Sequence, residues 1–95
     1  MSATITRQEL AAEIDAGTVT VVEALGSQYF EQGRLPGAVN VPHTEVAELA
    51  PSLLPDKDAA IVVYCSNLQC QNSAIAQGQL LRMGYTVVRK YAAGK

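Results

Sequence analysis

The sequence predicts an α/β domain built on a parallel sheet, and three observations predict it. Segments with strand character alternate with segments of helical periodicity, the order that crossover connections between parallel strands produce. The run AAIVVYC, Ala59 to Cys65, is apolar without polar alternation, as expected of a central strand covered on both faces. A chain of 95 residues with 48% hydrophobic side chains can bury one core without staples, so residues 1–95 are expected to form one domain.

The elements follow in order. Thr6-Arg7-Gln8-Glu9 is a capping box: the threonine hydroxyl can accept from the backbone of Glu9, and Glu9 can reach back to Thr6. It opens a helix through about Ala16, with Leu10 and Ile14 as the apolar stripe and Gly17 as the stop. Thr18 to Glu23 is rich in β-branched residues and predicts a buried strand. Ser27 is placed to cap a short helix holding Tyr29 and Phe30, closed by Gly33. The Pro36-Gly37 turn feeds a short strand, Ala38 to Asn40, that Pro42 stops. Thr44 is expected to cap a helix reaching about Leu49, and PSLLPDKD to be a Pro-bounded loop.

After the Ala59–Cys65 strand, Ser73 to Met83 is helical, with Ala76, Leu80 and Met83 on one face and Gly84 as the C-terminal cap. Gly78 costs that helix about 1 kcal/mol relative to Ala, which suggests close packing at that point. Thr86 to Tyr91 is the last strand. In sheets of this kind ligands bind beyond the carboxyl ends of the strands. Cys65 stands at that end of the most apolar strand, just ahead of a helix.

Composition excludes several classes. The fraction of apolar residues rules out a disordered or collagen-like chain. The longest apolar run is too short for a membrane span, and MSATITRQEL lacks the basic-then-apolar pattern of a secretion signal, so a cytoplasmic protein without membrane partners is expected. Residues 1–50 carry seven acidic and two basic side chains, and residues 51–95 two acidic and five basic. Parallel-sheet folds interleave their halves in space, so this asymmetry need not form a surface patch. No basic cluster suits nucleic acid.

Both cysteines lie in YCSNLQCQNS, Tyr64 to Ser73. In a reducing compartment they argue for buried thiols, metal binding or chemistry rather than a disulfide framework. A cysteine ahead of a helix N-terminus meets unpaired N–H groups and a partial positive charge that stabilise a thiolate, and the same donors suit an anionic substrate. Position alone makes Cys65 a candidate nucleophile; the plainer reading is a small apolar residue ending a buried strand.

The segment GRLPGAVNVP resembles the G-H-[IL]-P-G-A-x-N-[IVL]-P motif of rhodanese-like domains. IVVYC, followed by a loop, a helix, GY and VVRKYAAG, is similar to their active-site strand, loop, helix and final strand. These anchors span about residues 4–94 in the family's order. The resemblance implies a parallel five-stranded sheet with helices on both faces. It also implies that Cys65 takes sulfane sulfur from a small donor as a persulfide and passes it to a thiol, a protein or a cyanide-like acceptor. No cofactor is implied.

The departures fall in the active loop, Ser66, Asn67, Leu68, Gln69, Cys70, Gln71, Asn72 and Ser73. Many single-domain members have C-x-x-G-x-R-S, with Ser six positions after Cys; here Ser73 follows Cys65 by eight, so the loop is two residues longer. It contains neither glycine nor arginine. Charge stabilisation would then come from backbone N–H groups and polar loop side chains, or from Arg34, Arg82 or Arg89. Rhodanese-fold phosphatases need an arginine six residues after the cysteine; position 71 is Gln, so the bidentate phosphate clamp is lost and phosphatase activity is not expected. Where many members have Asp-x-Arg, this chain has Glu23-Ala24-Leu25, and Glu23 is read as a loop-ordering hydrogen-bond acceptor. Arg34 replaces the motif's histidine and is read as a surface group or a supporting cation.

Three roles stay open for Cys70: a resolving thiol that attacks a persulfide or sulfenate on Cys65, a metal ligand, or an inward-packed anchor. The metal reading is short of ligands, because C-x4-C supplies two thiolates and the sole histidine, His43, lies in a distant segment beside a helix start. Two functions therefore compete: a sulfurtransferase or persulfide carrier, and a rhodanese-like module acting as a Cys65/Cys70 thiol switch or protein-binding domain. Related domains commonly continue into another helix, so ending at AAGK is expected to mark a trimmed or a minimal form; if that helix normally covers the sheet, its absence would leave an apolar face exposed and invite association.

Overall fold

A computed structural model of the chain describes residues 4–25, 37–64 and 72–91. Helix α1, Arg7–Ala16, begins at the expected capping box: Glu9 N–H donates to Thr6 Oγ1 at 3.2 Å, and Thr6 N–H donates to Glu9 Oε1 at 3.0 Å. It ends at Gly17, whose φ of 71° is a left-handed conformation that glycine adopts without a Cβ clash. Strands β1 (Thr20–Glu23), β2 (Val39–Asn40), β3 (Ala60–Tyr64) and β4 (Val87–Tyr91) pair in parallel in the order β2-β1-β3-β4. Helix α2, Val46–Leu53, lies between β2 and β3, and helix α3, Asn72–Arg82, between β3 and β4.

Among the described residues the sheet has four strands rather than five. The place beside β4 is held by one parallel bridge, Thr4 to Lys90, supported by Ile5 N–H donating to the Lys90 carbonyl at 3.1 Å. The expected central strand is β3, flanked by β1 and β4 and buried from Ile61 through Tyr64.

Side chains alternate across the sheet because the strand period is two. Val22, Ile61, Val63 and Val88 face one way and pack with Val46, Ala50 and Leu54 of the α2 region, Ala76 and Leu80 of α3, and Tyr85. Val21, Val62, Tyr64 and Tyr91 face the other way and pack with Ile5 and with Leu10 and Ile14 of α1. Helices thus cover both faces.

Two expectations need correction. The helix expected to start at Thr44 and end near Leu49 starts at Val46, has Glu45 at its N-cap without a side-chain cap, and runs through Pro51 to Leu53. Pro51 forfeits one backbone hydrogen bond, but burial of Ala50 and Leu54 on one face keeps the last turn helical. The Tyr85 hydroxyl lies against the carbonyls of Ala50, at 3.2 Å, and Leu54, adding a tertiary cap. Burial pushes the Tyr85 phenol up from its ordinary range, so it stays a donor. Gly78, expected at a close contact, has no described atom within 4 Å of where a Cβ would stand.

The first helix and last strand are tied by Arg89 and Glu13. Arg89 Nη1 donates to Glu13 Oε2 at 2.9 Å and Nη2 to Oε1 at 2.5 Å. This pair joins the acidic half of the sequence to the basic half. No described helix is long and apolar enough to cross a membrane.

Candidate active site at the carboxyl edge

Parallel pairing sets Glu23, Asn40, Tyr64 and Tyr91 side by side at the carboxyl ends of β1, β2, β3 and β4. The edge is held by cross-strand hydrogen bonds. Ala24 N–H donates to the Tyr64 carbonyl at 2.9 Å, Val41 N–H to the Glu23 carbonyl at 3.0 Å, and His43 N–H to the Ala24 carbonyl at 3.0 Å. Asn40 Nδ2 donates to the carbonyls of Glu23, at 3.3 Å, and Leu25, at 2.8 Å, and so fixes the chain as it leaves β1. His43 Nδ1 lies 3.3 Å from the Ala24 carbonyl; a carbonyl only accepts, so that nitrogen carries the proton in this contact.

Glu23 is fully buried. Its Oε1 accepts a hydrogen bond from the Tyr64 hydroxyl at 2.6 Å, between residues that are register partners on β1 and β3. Glu23 is therefore an acceptor, as read from the sequence, and its partner is the residue immediately before Cys65. Nothing in the local sequence marks Tyr64, because the two residues lie 41 positions apart and meet only through strand pairing.

Of the loop residues singled out in the sequence, Cys65, Ser66, Asn67, Leu68, Gln69, Cys70 and Gln71 lie outside the described residues, as does Arg34. Asn72 and Ser73 are helical and form the first turn of α3, with Ser73 buried. The stretch between strand and helix is thus 65–71, and its two ends are the carboxyl end of the central strand and the N-terminus of an eleven-residue helix. That helix terminus supplies outward-pointing N–H donors and partial positive charge. Helix α3 is anchored to the sheet by Gln77 Nε2, which donates to the Val88 carbonyl at 2.9 Å.

Two arginines offered as supporting cations are placed elsewhere. Arg89 is engaged by Glu13 of α1. Arg82 closes the last turn of α3, about 15 Å along the helix from the loop end.

A family model, the rhodanese-like domain, matches residues 6–94. The chain belongs to this family. It is 39% identical over 66 residues to an HTH-type transcriptional regulator of Mycobacterium tuberculosis, a match covering 70% of this chain and 28% of the relative. It is 36% identical over 61 residues to thiosulfate sulfurtransferase PspE of Escherichia coli, covering 64% of this chain and 57% of the relative. The rhodanese-like chain thus spans under two thirds of either protein. Among solved structures, a rhodanese with anions from E. coli is similar at 32% identity with a TM-score of 0.70, covering 80% of this chain and 86% of that one. A human single-domain sulfurtransferase superposes over 100% of this chain and 93% of its own, with a TM-score of 0.86 at 21% identity, a likeness of fold.

Proposed function

We propose that this rhodanese-like chain is a sulfurtransferase or persulfide carrier with Cys65 as its nucleophile. The observation that carries the proposal is the placement of the loop's ends: Cys65 follows the last residue of the buried central strand, and the loop leads into the N-terminus of α3. A thiolate there gains from the helix's partial positive charge, and its anionic sulfur products gain from the same N–H donors. The relative named thiosulfate sulfurtransferase supports thiosulfate as a first donor to test.

The chemistry balances in two displacements. The Cys65 thiolate attacks the outer sulfur of thiosulfate, the S–S bond breaks, and sulfite leaves with the bonding pair, giving a Cys65 persulfide. A thiolate or cyanide then attacks the terminal sulfur, forming a new persulfide or thiocyanate and returning the Cys65 thiolate. Ser66, Asn67, Gln69, Gln71, Asn72 and Ser73 are the polar side chains proposed to serve the anion. Leu68 and Cys70 complete the loop, and Glu23 orders its base. Arg34 is the remaining proposed supporting cation.

A second reading is a non-turnover module, a Cys65/Cys70 thiol switch or a protein-binding domain. It is favoured by a loop sequence without arginine or glycine and by the positions of Arg82 and Arg89. Incubation with thiosulfate or polysulfide followed by mass spectrometry separates the two. Addition of one sulfur at Cys65, absent in Cys65→Ser, is the expected result. No addition from several donors, with a Cys65–Cys70 disulfide after mild peroxide, supports the switch.

A further inference from the structure

We infer that Tyr64 and Glu23 are a positioning pair for Cys65, an inference that rests on Cys65 being the nucleophile. Three observations lead to it. First, a carboxylate with no solvent exposure stands at the carboxyl edge of the sheet, although β1 is otherwise apolar over Val21 and Val22. Burying a carboxylate is costly unless it is hydrogen-bonded, and here the donor is a phenol at 2.6 Å. Second, that phenol belongs to Tyr64, itself fully buried and peptide-bonded to Cys65. Third, the Tyr64 carbonyl, in the peptide group that carries the Cys65 nitrogen, accepts from Ala24 N–H at 2.9 Å.

Glu23 and Ala24, at and just past the end of β1, therefore hold Tyr64 at two points, one at the tip of the side chain and one on the backbone. Two such points restrain both the height and the rotation of the strand end. The loop sequence lacks both the glycine and the arginine of the family motif. The nucleophile's placement is thus delegated to the rigid sheet beneath it, where near-attack geometry is most cheaply kept. Tyr64 is a positioning residue that acts through the chain it anchors.

The test uses the full chain with thiosulfate and single-turnover mass spectrometry, the modified thiol being located by fragment ions. Tyr64→Phe is expected to slow persulfide formation roughly tenfold or more, with the concentration dependence on thiosulfate little changed. Glu23→Gln keeps an acceptor oxygen for the phenol and is expected to retain most of the rate, whereas Glu23→Leu should match Tyr64→Phe. Thermal unfolding of each variant confirms that it is folded at the assay temperature; should Glu23→Leu not fold, the other two decide. A folded Tyr64→Phe with the wild-type rate overturns the inference, as does a Glu23→Gln variant as slow as Tyr64→Phe. If the unmodified protein takes no sulfur, the sulfurtransferase reading fails. The pair is then judged on iodoacetamide alkylation of Cys65 at fixed pH, where the same ranking is expected and equal rates overturn it.

Discussion

On the face covered by α2 and α3, the strands present Val22, Ile61, Val63 and Val88 to a mostly apolar cluster, in which the Tyr85 hydroxyl and Gln77 donate to backbone carbonyls. On the face covered by α1, the same strands present Val21 and Val62, but also Glu23, Tyr64 and Arg89, each in a hydrogen bond that crosses between elements. Burial supplies most of the free energy on the first face and is insensitive to direction. The hydrogen bonds on the second face contribute less than burial in net terms, but they fix particular atoms. The contrast is between a face held mainly by burial and a face whose hydrogen bonds reach the edge from which Cys65 continues.

That division breaks most visibly at Leu80, which is fully buried against the first face. Leu80→Ala is expected to destabilise the fold by about 2–5 kcal/mol, measured by urea unfolding, while folded protein keeps its rate of sulfur uptake. Tyr64→Phe should cost less, about 1–3 kcal/mol for leaving a buried acceptor without this donor, while its effect on uptake is the larger. If Leu80→Ala slows uptake in folded protein as much as Tyr64→Phe does, the two faces are not separable in this way.

The fold was legible where its causes are local. The Thr6–Glu9 box and Gly17 name both ends of α1, and the unbroken apolar run before Cys65 names the central strand. Pro51 misled, because the forces that carry α2 past it are the burial of Leu54 and the hydroxyl of Tyr85, which is 35 residues from Ala50. Gly78 misled for the opposite reason: its cost to the helix is local, and no neighbour among the described residues explains it. At the site, Cys65 lies outside the described residues, and of those described the acceptor Glu23 was legible from position and resemblance. Tyr64 was not, because an aromatic residue in a strand signals packing, and only the register of β1 against β3 turns it into a donor to Glu23.

Two smaller effects sharpen the comparison. Gly78→Ala is expected to stabilise α3 by up to about 1 kcal/mol, seen as a higher urea midpoint with unchanged slope, since no described atom lies within 4 Å of the added methyl group. A lower midpoint would mean that the glycine is required. The Glu13–Arg89 pair is partly exposed and should contribute only about 0.5 kcal/mol. The hydrogen bond from Arg89 holds the Glu13 carboxyl below its ordinary range. The pair's contribution is therefore fully present above the ordinary carboxylate range and is lost as pH falls through the lowered value. Glu13→Gln should accordingly lower stability slightly at about pH 7 and lose that deficit once the Glu13 carboxyl of the unmodified protein is protonated in acid; a deficit that persists there would assign the effect to packing.

The most direct test of the account is the mass of the protein after exposure to thiosulfate, with fragment ions locating the change. One added sulfur on Cys65 is expected, removed by a thiol acceptor and absent in Cys65→Ser. Addition of sulfur that persists in Cys65→Ser, or no addition from thiosulfate, polysulfide or a thiol persulfide, would contradict it.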